Sequence, residues 1–432
     1  MITATAVLVL LSTMNPPALT PVEQAAGWKL YTGADATSMW RGYKQPAFPT
    51  KGWTVEDGVI ATAKGGGGGD IITVEQYGDV EMAFEFKLGK AANSGVMWRV
   101  AETDGATYMT GPEYQLLEDA TYPGKLQPGQ YCGAMYDLYP PEPAQGEQKS
   151  MKPAGEWNTG RIYIRNGQVQ HWLNDVKLVD AQVFDGAGEA TKEWASKIAA
   201  SKFADAKGFG VQKRGHLAIQ DHGDTELALR NVKIRDLGAP MPGEVQLFNG
   251  KDLTGWTSCL PNAKDEFEAW SVNDGVLVCK GQPIGYLRTE KKYTNFVLKL
   301  EWRFNPAKGA GNSGVLVRMV GDDKVWPKSV EAQLQSGSAG DFWNIDEFTM
   351  TVDKSRTNGR NTKKLATASP VERPLGEWNE YEIIVNQGDV ILKVNGQELN
   401  RATDVEQVPG FICLQSEGAE IHFRNVRIVE LK

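Results

Sequence analysis

The sequence predicts an all-β protein made of two tandem β-sandwich domains of the jelly-roll type. Apolar and polar residues alternate over 80–88 and 296–304, and a period of two is typical of a strand with one buried face. Asn-Gly pairs at 166–167 and 395–396 lie between such segments, and this dipeptide is the strongest signal for a tight hairpin. In addition, the chain repeats its own motifs in order over most of its length.

Four short motifs establish the repeat. Asn-Ser-Gly-Val begins at 93 and again at 312, and Glu-x-Gln-Leu begins at 113 and 331. Gly-Glu-Trp-Asn begins at 155 and 376, and Arg-Asn-Val begins at 230 and 424. Because the order is kept and the spacing is nearly constant, we infer duplication of a whole domain. We place the first domain at 26–237 and the second at 245–432, joined by a linker rich in Gly and Pro.

The first copy carries an insertion late in its sequence. The offset between the copies falls from 221 residues to 194 between the last two motifs, so the first copy holds about 27 additional residues. They fall near 188–210, where Trp194, Ile198 and Lys202 recur at helical spacing. This pattern predicts one amphipathic helix inserted in the first domain.

Composition excludes several classes of function. The net charge of the 432 residues is -8 and no basic stripe is present, so nucleic acid is not an expected partner. The four cysteines have no CxxC spacing, and we therefore expect no zinc. A bridge between Cys259 and Cys279 stays open. We expect no cofactor, although loop carboxylates can hold a structural Ca²⁺.

The N-terminal residues predict export. The apolar run within 1–20 is too short to span a bilayer and fits the core of a secretory signal peptide. No other segment predicts a membrane span. We therefore expect a secreted or periplasmic protein.

Two residues are the strongest candidates for proton transfer. Glu113 shares a strand face with Gln115, and His222 lies in a polar corner, 220–223, just before the last strand of the first copy. The corresponding corner of the second copy has Glu417 instead. Imidazole and carboxyl groups are the usual general acids and bases, although His222 can also serve only to hydrogen-bond the turn.

Further residues are candidates for contacts with a polar ligand. Amide, carboxyl and guanidinium groups hydrogen-bond sugar hydroxyls, and aromatic rings stack on a pyranose; for His171 and Trp172 a role within the sheet or core is the alternative. These candidates are Arg99, Gln115, Asp119, Asp137, His171, Trp172 and Gln220 in the first copy, and Arg318, Glu331, Gln333 and Glu417 in the second. The glycine run at 65–69 is not a phosphate loop, because no Gly-Lys-Ser/Thr follows it; we expect a mobile surface loop.

The motifs together resemble the 3-keto-disaccharide hydrolase domain family, a concanavalin A-like jelly roll. The resemblance rests on the Leu-Phe-Asn-Gly segment at 247–250, the two Asn-Ser-Gly-Val segments, Pro-Glu-Tyr-Gln at 112–115 and the segment 215–223 that ends in Gln-Asp-His-Gly. The first copy departs from the pattern at its opening, and the second departs at its closing corner. The resemblance implies cleavage of glycosides that are already oxidised at sugar carbon 3.

Such a reaction needs one base and one acid. A ketone at carbon 3 acidifies the proton on carbon 2; its removal expels the group on carbon 1, and water then adds. Glu113 and His222 supply the two groups in either order, and the expected partner is an oligosaccharide or glycoside substrate.

Two rivals remain. One is a non-catalytic, lectin-like module. The other is a jelly-roll β-glucanase, whose two carboxyls must lie about 5–5.5 Å apart; Glu118 would be the second carboxyl, and the equivalent residue of the second copy is Ser336.

Overall fold

Each half of the chain folds into its own β-sandwich, which confirms the predicted fold class. The computed structural model describes residues 18–63, 65–142, 151–223, 225–367 and 369–432. Residues 28–239 form the first unit, and 240–432 form the second together with 20–27. The predicted signal peptide at 1–20 lies almost wholly outside the described residues.

The first unit consists of two antiparallel sheets. Its strands are β1 (Lys29–Leu30), β2 (Trp40–Gly42), β3 (Trp53–Glu56), β4 (Val59–Thr62), β5 (Ile71–Thr73), β6 (Val80–Leu88), β7 (Asn93–Val100), β8 (Glu113–Leu117), β9 (Asn158–Arg165), β10 (Gln168–Leu173), β11 (Val176–Gln182), β12 (His216–Ile219) and β13 (Leu227–Asp236). In the described residues one sheet has the order β11-β10-β9-β6-β13-β4-β3, with β1 on β13, and the other has the order β2-β5-β12-β7-β8.

The second unit repeats this topology and extends one sheet by three strands. Its strands are β14 (Val245–Gln246), β15 (Trp256–Cys259), β16 (Trp270–Asn273), β17 (Val276–Cys279), β18 (Gly285–Thr289), β19 (Phe296–Phe304), β20 (Gly314–Val320), β21 (Lys328–Gln333), β22 (Phe342–Ile345), β23 (Thr357–Asn358), β24 (Asn361–Thr362), β25 (Asn379–Asn386), β26 (Asp389–Val394), β27 (Gln397–Ala402), β28 (Phe411–Ser416) and β29 (Ile421–Glu430). The orders are β16-β17-β29-β19-β25-β26-β27, with β14 on β29, and β15-β18-β28-β20-β21, to which β22, β24 and β23 are added. Identical strand orders support duplication of the domain.

Among the described residues, helices are few and short. The α-helices are α1 (Pro21–Ala25), α2 (Ala36–Met39) and α3 (Lys192–Ala199), and single 3₁₀ turns lie at Thr107–Met109, Pro128–Gln130 and Lys354–Arg356. The predicted insertion helix is therefore present as α3, although it ends before Lys202. Trp194 anchors α3, because its buried indole N–H donates to the Gly210 carbonyl at 3.0 Å. No helix in the described ranges is long and apolar enough to span a bilayer.

The N-terminal helix α1 covers apolar surface of the second unit. The Thr20 hydroxyl oxygen accepts the Glu23 N–H, and the Glu23 carboxylate accepts the Thr20 N–H; this arrangement satisfies free N–H groups of the first turn. Val22 and Ala25 pack against a patch on the second unit. The buried members of that patch are Met241, Val297, Ile384 and Val429.

The four cysteines are free and buried. Cys259 lies on β15 and Cys279 lies on β17, which belong to different sheets of the second unit. The bridge that the sequence left open between them is therefore absent.

Each sandwich has an interior face and an outer face on every sheet. In the sheet β2-β5-β12-β7-β8, Val96, Trp98 and Leu217 point into the core. Met97 and Ala218 alternate with them and form a separate cluster on the other side, because successive side chains of a strand point to opposite faces. We call that side the first outer face. Its counterpart on β15-β18-β28-β20-β21 is the second outer face.

Candidate active site

Glu113 and Gln115 both lie on the first outer face. Glu113 is opposite Met97 across the β7–β8 ladder, and Gln115 is opposite Gly95. Tyr114, between them, points into the core. The strand alternation read from the sequence thus places the two polar groups side by side, and both are at least nine-tenths buried.

The glycine of the repeated Asn-Ser-Gly-Val motif makes room for the carboxyl. A Cβ at Gly95 would lie 1.9 Å from Oε1 of Glu113, and a Cβ at Gly314 would lie 2.4 Å from Oε1 of Glu331. No carbon atom can approach a non-bonded oxygen so closely. The glycine therefore recurs because each copy buries a glutamate against the backbone of the neighbouring strand.

A hydrogen-bonded series of side chains joins Glu113's strand to His222. The Gln115 amide donates to Oδ1 of Asn93 at 3.1 Å, and Nδ2 of Asn93 lies 3.3 Å from Nε2 of His222. The imidazole itself is exposed. The carboxyl and imidazole candidates therefore reach the same outer face, and Asn93, the first residue of the repeated Asn-Ser-Gly-Val motif, links them.

The glycine run closes one edge of this site. The Asp221 carboxylate accepts the backbone N–H groups of Gly68 and Gly69, each at 2.9 Å. The Asp221 N–H in turn donates to the Asp70 carboxylate at 2.9 Å. The sequence predicts a mobile surface loop here, whereas the structure fastens the loop to the corner beside His222. Charged acceptors strengthen such bonds.

Burial controls the protonation of the two acids in the site. Burial raises the pKa of Glu113 to about 8; the positive charge of Lys202 opposes this increase, and the negative charge of Asp70 adds to it. Burial likewise raises the pKa of Asp70, against hydrogen bonds from Thr107 and the Asp221 backbone. Desolvation disfavours the charged form of a carboxyl. At neutral pH Glu113 is therefore mainly protonated and able to donate a proton.

The inserted segment supplies Lys202, whose positive charge lowers the pKa of Glu113. The Lys202 N–H donates to the Asp137 carboxylate at 2.8 Å, and its Nζ lies 4.2 Å from the centre of the Tyr136 ring. The Tyr136 N–H donates to the Glu113 carbonyl at 3.0 Å. Asp137, a predicted ligand contact, thus serves to hold the backbone of Lys202. From the sequence, Lys202 was identified only by its helical spacing from Trp194 and Ile198, which does not predict a position near Glu113.

The two predicted arginines are engaged elsewhere. Nε and Nη2 of Arg99 donate to the Gly78 carbonyl at 3.2 and 3.1 Å. Arg318 donates to the carbonyls of Val408 at 3.0 Å and Gln387 at 2.6 Å. Both arginines have φ of +53°, so a local irregularity of the strand turns each side chain away from the face that simple alternation predicts. The structure does not bring them to the glutamates.

The acidic residues after β8 stabilise a turn. Oε2 of Glu118 accepts the N–H groups of Ala91 at 3.3 Å and Thr121 at 3.0 Å. Oδ1 of Asp119 accepts the N–H of Cys132 at 3.0 Å. These bonds leave Glu118 and Asp119 with roles in the loop, and they give no support to Glu118 as the second carboxyl of a glucanase.

His171 and Trp172 lie on β10, in the opposite sheet. His171 faces the interior, where Nδ1 lies 3.2 Å from the Gly133 carbonyl, and burial lowers its pKa to about 4. Trp172 is on the other side of β10 and donates to Oε1 of Gln170 at 3.2 Å. Neither residue shares the first outer face with Glu113.

The remaining candidates follow the same plan in both copies. Gln220 donates its N–H to the Gly95 carbonyl at 3.0 Å, which fixes the closing corner beside the glycine. In the second copy Glu331 and Gln333 lie on β21, at the positions that Glu113 and Gln115 have on β8. Oε1 of Gln333 accepts two neighbouring backbone N–H groups.

Metal ligands are not assembled in the residues that the structure describes. No group of three or more His, Cys, Asp or Glu side chains in that part of the chain is arranged to hold a metal ion. The structural Ca²⁺ therefore stays a prediction.

Fold and site together define a tandem β-sandwich with acid–base groups on an outer face of one sheet. The chain belongs to the 3-keto-alpha-glucoside-1,2-lyase-like domain family, whose model matches 27–235 and again 243–429. Membership in this family makes it a carbohydrate hydrolase, as the resemblance implied.

Individual relatives cover about half of this chain. A 3-keto-disaccharide hydrolase of Bacteroides thetaiotaomicron is 32% identical over an alignment of 228 positions, and the match covers 46% of this chain and 74% of the relative. Two crystal structures from Parabacteroides distasonis ATCC 8503, both described as glycosyl hydrolases, are also similar. One is 34% identical with a TM-score of 0.44 and covers 51% of this chain and 98% of its own. The other is 25% identical with a TM-score of 0.37, covering 49% and 99%.

Proposed function

We propose that this protein cleaves 3-keto-glycosides by elimination followed by hydration. The observation that carries the proposal is that the Glu113 carboxyl and the His222 imidazole reach one outer face, joined through Gln115 and Asn93. Family membership supports the substrate class. The relative from Bacteroides thetaiotaomicron carries the name of the same activity.

The two groups have different parts in the reaction. The His222 imidazole accepts the proton on carbon 2, and the electron pair of the broken C–H bond forms an enolate with the carbon 3 ketone. The enolate re-forms the ketone and expels the oxygen on carbon 1, which takes the proton of Glu113. Water then adds, with its oxygen bonding to carbon 1 and a proton returning to carbon 2. Each positioned acid or base contributes about 10²–10⁴-fold.

The groups around the pair stabilise charge and orient the sugar. The Lys202 ammonium is suited to the developing enolate, because a fixed positive charge is most effective where negative charge appears. Gln115 and Asn93 present amide groups to sugar hydroxyls. Asp221 holds the glycine loop at the edge of the site, which limits the access of bulk water.

The test is turnover of an alkyl 3-keto-glucoside in D₂O. Wild-type chain should release the alcohol and give a 3-keto-sugar with deuterium on carbon 2, because the proton there exchanges with solvent. In a Glu331→Gln chain, where only the first copy is measured, Glu113→Gln should lower turnover about 10²–10⁴-fold. Glu56→Gln, on an exposed residue of the first unit, is the matched control.

Other outcomes identify the rivals. Binding of the glycoside without any product indicates a lectin-like module, and cleavage of unoxidised β-glucan indicates a glucanase. Product without deuterium on carbon 2 contradicts the elimination step. In the Glu331→Gln chain, turnover that Glu113→Gln leaves unchanged contradicts the assignment of Glu113.

We also propose that the protein acts outside the cytoplasm, in the periplasm or secreted. The proposal is supported by the apolar run within 1–20. N-terminal sequencing of the protein from its native host should give a chain that begins near residue 20.

A further inference from the structure

The second outer face carries a carboxyl in the place that Glu113 has on the first. Glu331 is opposite Leu316 across the β20–β21 ladder, and Gln333 is opposite Gly314. A Cβ at Gly314 would lie only 2.4 Å from Oε1 of Glu331, too close for two non-bonded atoms. Strand register and the missing side chain therefore both identify Glu331 as the equivalent of Glu113.

Glu417 takes the place of the imidazole. Asn312, the equivalent of Asn93, pairs through its backbone with Glu417, and its side chain hydrogen-bonds the Glu417 carboxyl. In the first copy Asn93 makes the corresponding contact with His222. Glu417 is half-buried, so the group stays accessible to a ligand.

Buried polar atoms without partners lie between these two carboxyls. The side chains of Glu331 and Gln415 contact each other and are 4% and 1% exposed. Among the described residues, Oε1 of Glu331, Oε1 and Nε2 of Gln415 and Oδ1 of Asn312 are buried and have no hydrogen-bond partner. Since buried polar atoms nearly always have partners, a free donor and a free acceptor at this place fit the hydroxyl groups of a sugar.

We propose that the second copy is a second active site, in which Glu331 and Glu417 carry out the proton transfers assigned to Glu113 and His222. The inference rests on the proposed function. It deepens that function by giving the chain two centres for one reaction, the first built on a carboxyl–imidazole pair and the second on two carboxyls.

The environments of the two carboxyls separate their roles. Burial and then the charge of Glu417 raise the pKa of Glu331 to about 8, so Glu331 keeps a proton for the leaving oxygen. Burial also raises the pKa of Glu417, but the bond from Asn312 opposes this by stabilising the ionised form. Two carboxyls whose environments differ in this way can act as acid and base. The reaction is balanced as in the first copy: Glu417 takes the proton from carbon 2, Glu331 protonates the departing oxygen, and water is consumed.

Each copy also brings its own cation from a different part of the sequence. Arg360 lies in the turn between β23 and β24, and its charge lowers the pKa of Glu331. In the first copy the corresponding effect on Glu113 comes from Lys202 of the inserted segment. Equivalent electrostatics from unrelated insertions are expected if both sites stabilise an anionic intermediate.

The experiment compares single and double variants of the full chain on an alkyl 3-keto-glucoside. Glu113→Gln should retain turnover, and adding Glu331→Gln should lower this remaining rate at least about 100-fold. The same substitution at Glu406, an exposed residue of the second unit, should leave the Glu113→Gln rate unchanged. Circular dichroism and the unfolding midpoint of each variant report whether it is folded.

A second pair of variants tests the same proposal if the Glu331→Gln chain does not fold. In the Glu113→Gln chain, Glu417→Gln should abolish turnover, whereas Glu417→His should retain it, because an imidazole then occupies the corner as in the first copy. If Glu113→Gln alone has the same negligible rate as the double variant while the wild type is active, the second site is refuted and the proposed function stands. If the wild type does not turn over the substrate, the proposed function fails and this inference fails with it.

Discussion

Replacing Glu113 with Gln should change the stability of the first unit in a way that depends on pH. The advantage of the variant over the wild type in unfolding free energy should grow as the pH rises. Burial raises the pKa of Glu113 from 4.5 to about 8 in the folded chain. In the unfolded chain the same carboxyl ionises near its ordinary value. Between these two pH values folding takes up a proton, so wild-type stability falls as pH rises from 4.5 and levels off above 8. The amide of the Glu113→Gln variant cannot titrate and is free of this cost.

The size of the effect follows from the two pKa values. They differ by about 3.5, and each unit of pKa corresponds to about 1.36 kcal/mol, so the wild type loses about 5 kcal/mol between pH 4.5 and pH 8. Glu113 is 6% exposed, which leaves little solvent to screen its charge. The unfolding free energy of the Gln variant minus that of the wild type should therefore be larger by this amount at pH 8 than at pH 4.5.

Hydrogen exchange followed by mass spectrometry measures the stability of the two units separately. Peptides from β6 and β13 report on the first unit, and peptides from β19 report on the second as an internal reference. Measurements at pH 5, 7 and 9 on wild type, Glu113→Gln and Glu56→Gln give the comparison, with Glu56 as the exposed control. A difference between Glu113→Gln and the wild type that is the same at pH 5 and pH 9 would refute the claim that the fold keeps this carboxyl protonated.

Three further changes test other parts of the first site, each in a Glu331→Gln chain. Gly95→Ala should displace the glutamate that occupies the space of its Cβ and lower turnover about 10²-fold or more, whereas Gly186→Ala, whose Cβ meets nothing within 4 Å, should not. Lys202→Met should raise the alkaline limit of the pH–rate profile, because the positive charge that lowers the pKa of the acid is gone; an unchanged limit contradicts this role. Asp221→Ala should release the glycine loop by removing two charge-assisted hydrogen bonds worth about 1.5–3 kcal/mol each, and faster hydrogen exchange at 65–70 is the readout.

The duplicated fold could be predicted because its evidence is local and repeated. Alternation over 80–88 and 296–304 reports directly on which side chains face the core, and the motif offsets fix the correspondence of the copies. The same alternation correctly placed Glu113 beside Gln115. Arg99 was a candidate only for its guanidinium group, and its hydrogen bonds to the Gly78 carbonyl could not be predicted, because no pattern in the neighbouring sequence marks the positive φ at this residue.

The rest of the site depends on contacts between distant segments. Asp221 meets Gly68 and Gly69 across more than 150 residues of sequence, and a run of glycines has no periodicity that would predict such docking. Lys202 acts on Glu113 from an insertion, and the Asp137 carboxylate holds its backbone there. A signal for Asn93 was available, since it begins the motif that recurs at 312, but the pattern does not say which of its polar groups faces the imidazole.

The helix at Pro21–Ala25 limits how the chain can be divided. Residues that precede the first sandwich in sequence shield Met241, Val297, Ile384 and Val429 of the second from solvent. A truncated protein beginning at Pro240 would expose this apolar patch and would be prone to self-association, even if the remaining sandwich folded correctly. Substituting one glutamate at a time in the full chain therefore separates the two candidate sites without exposing this patch, whereas truncation at the linker does not.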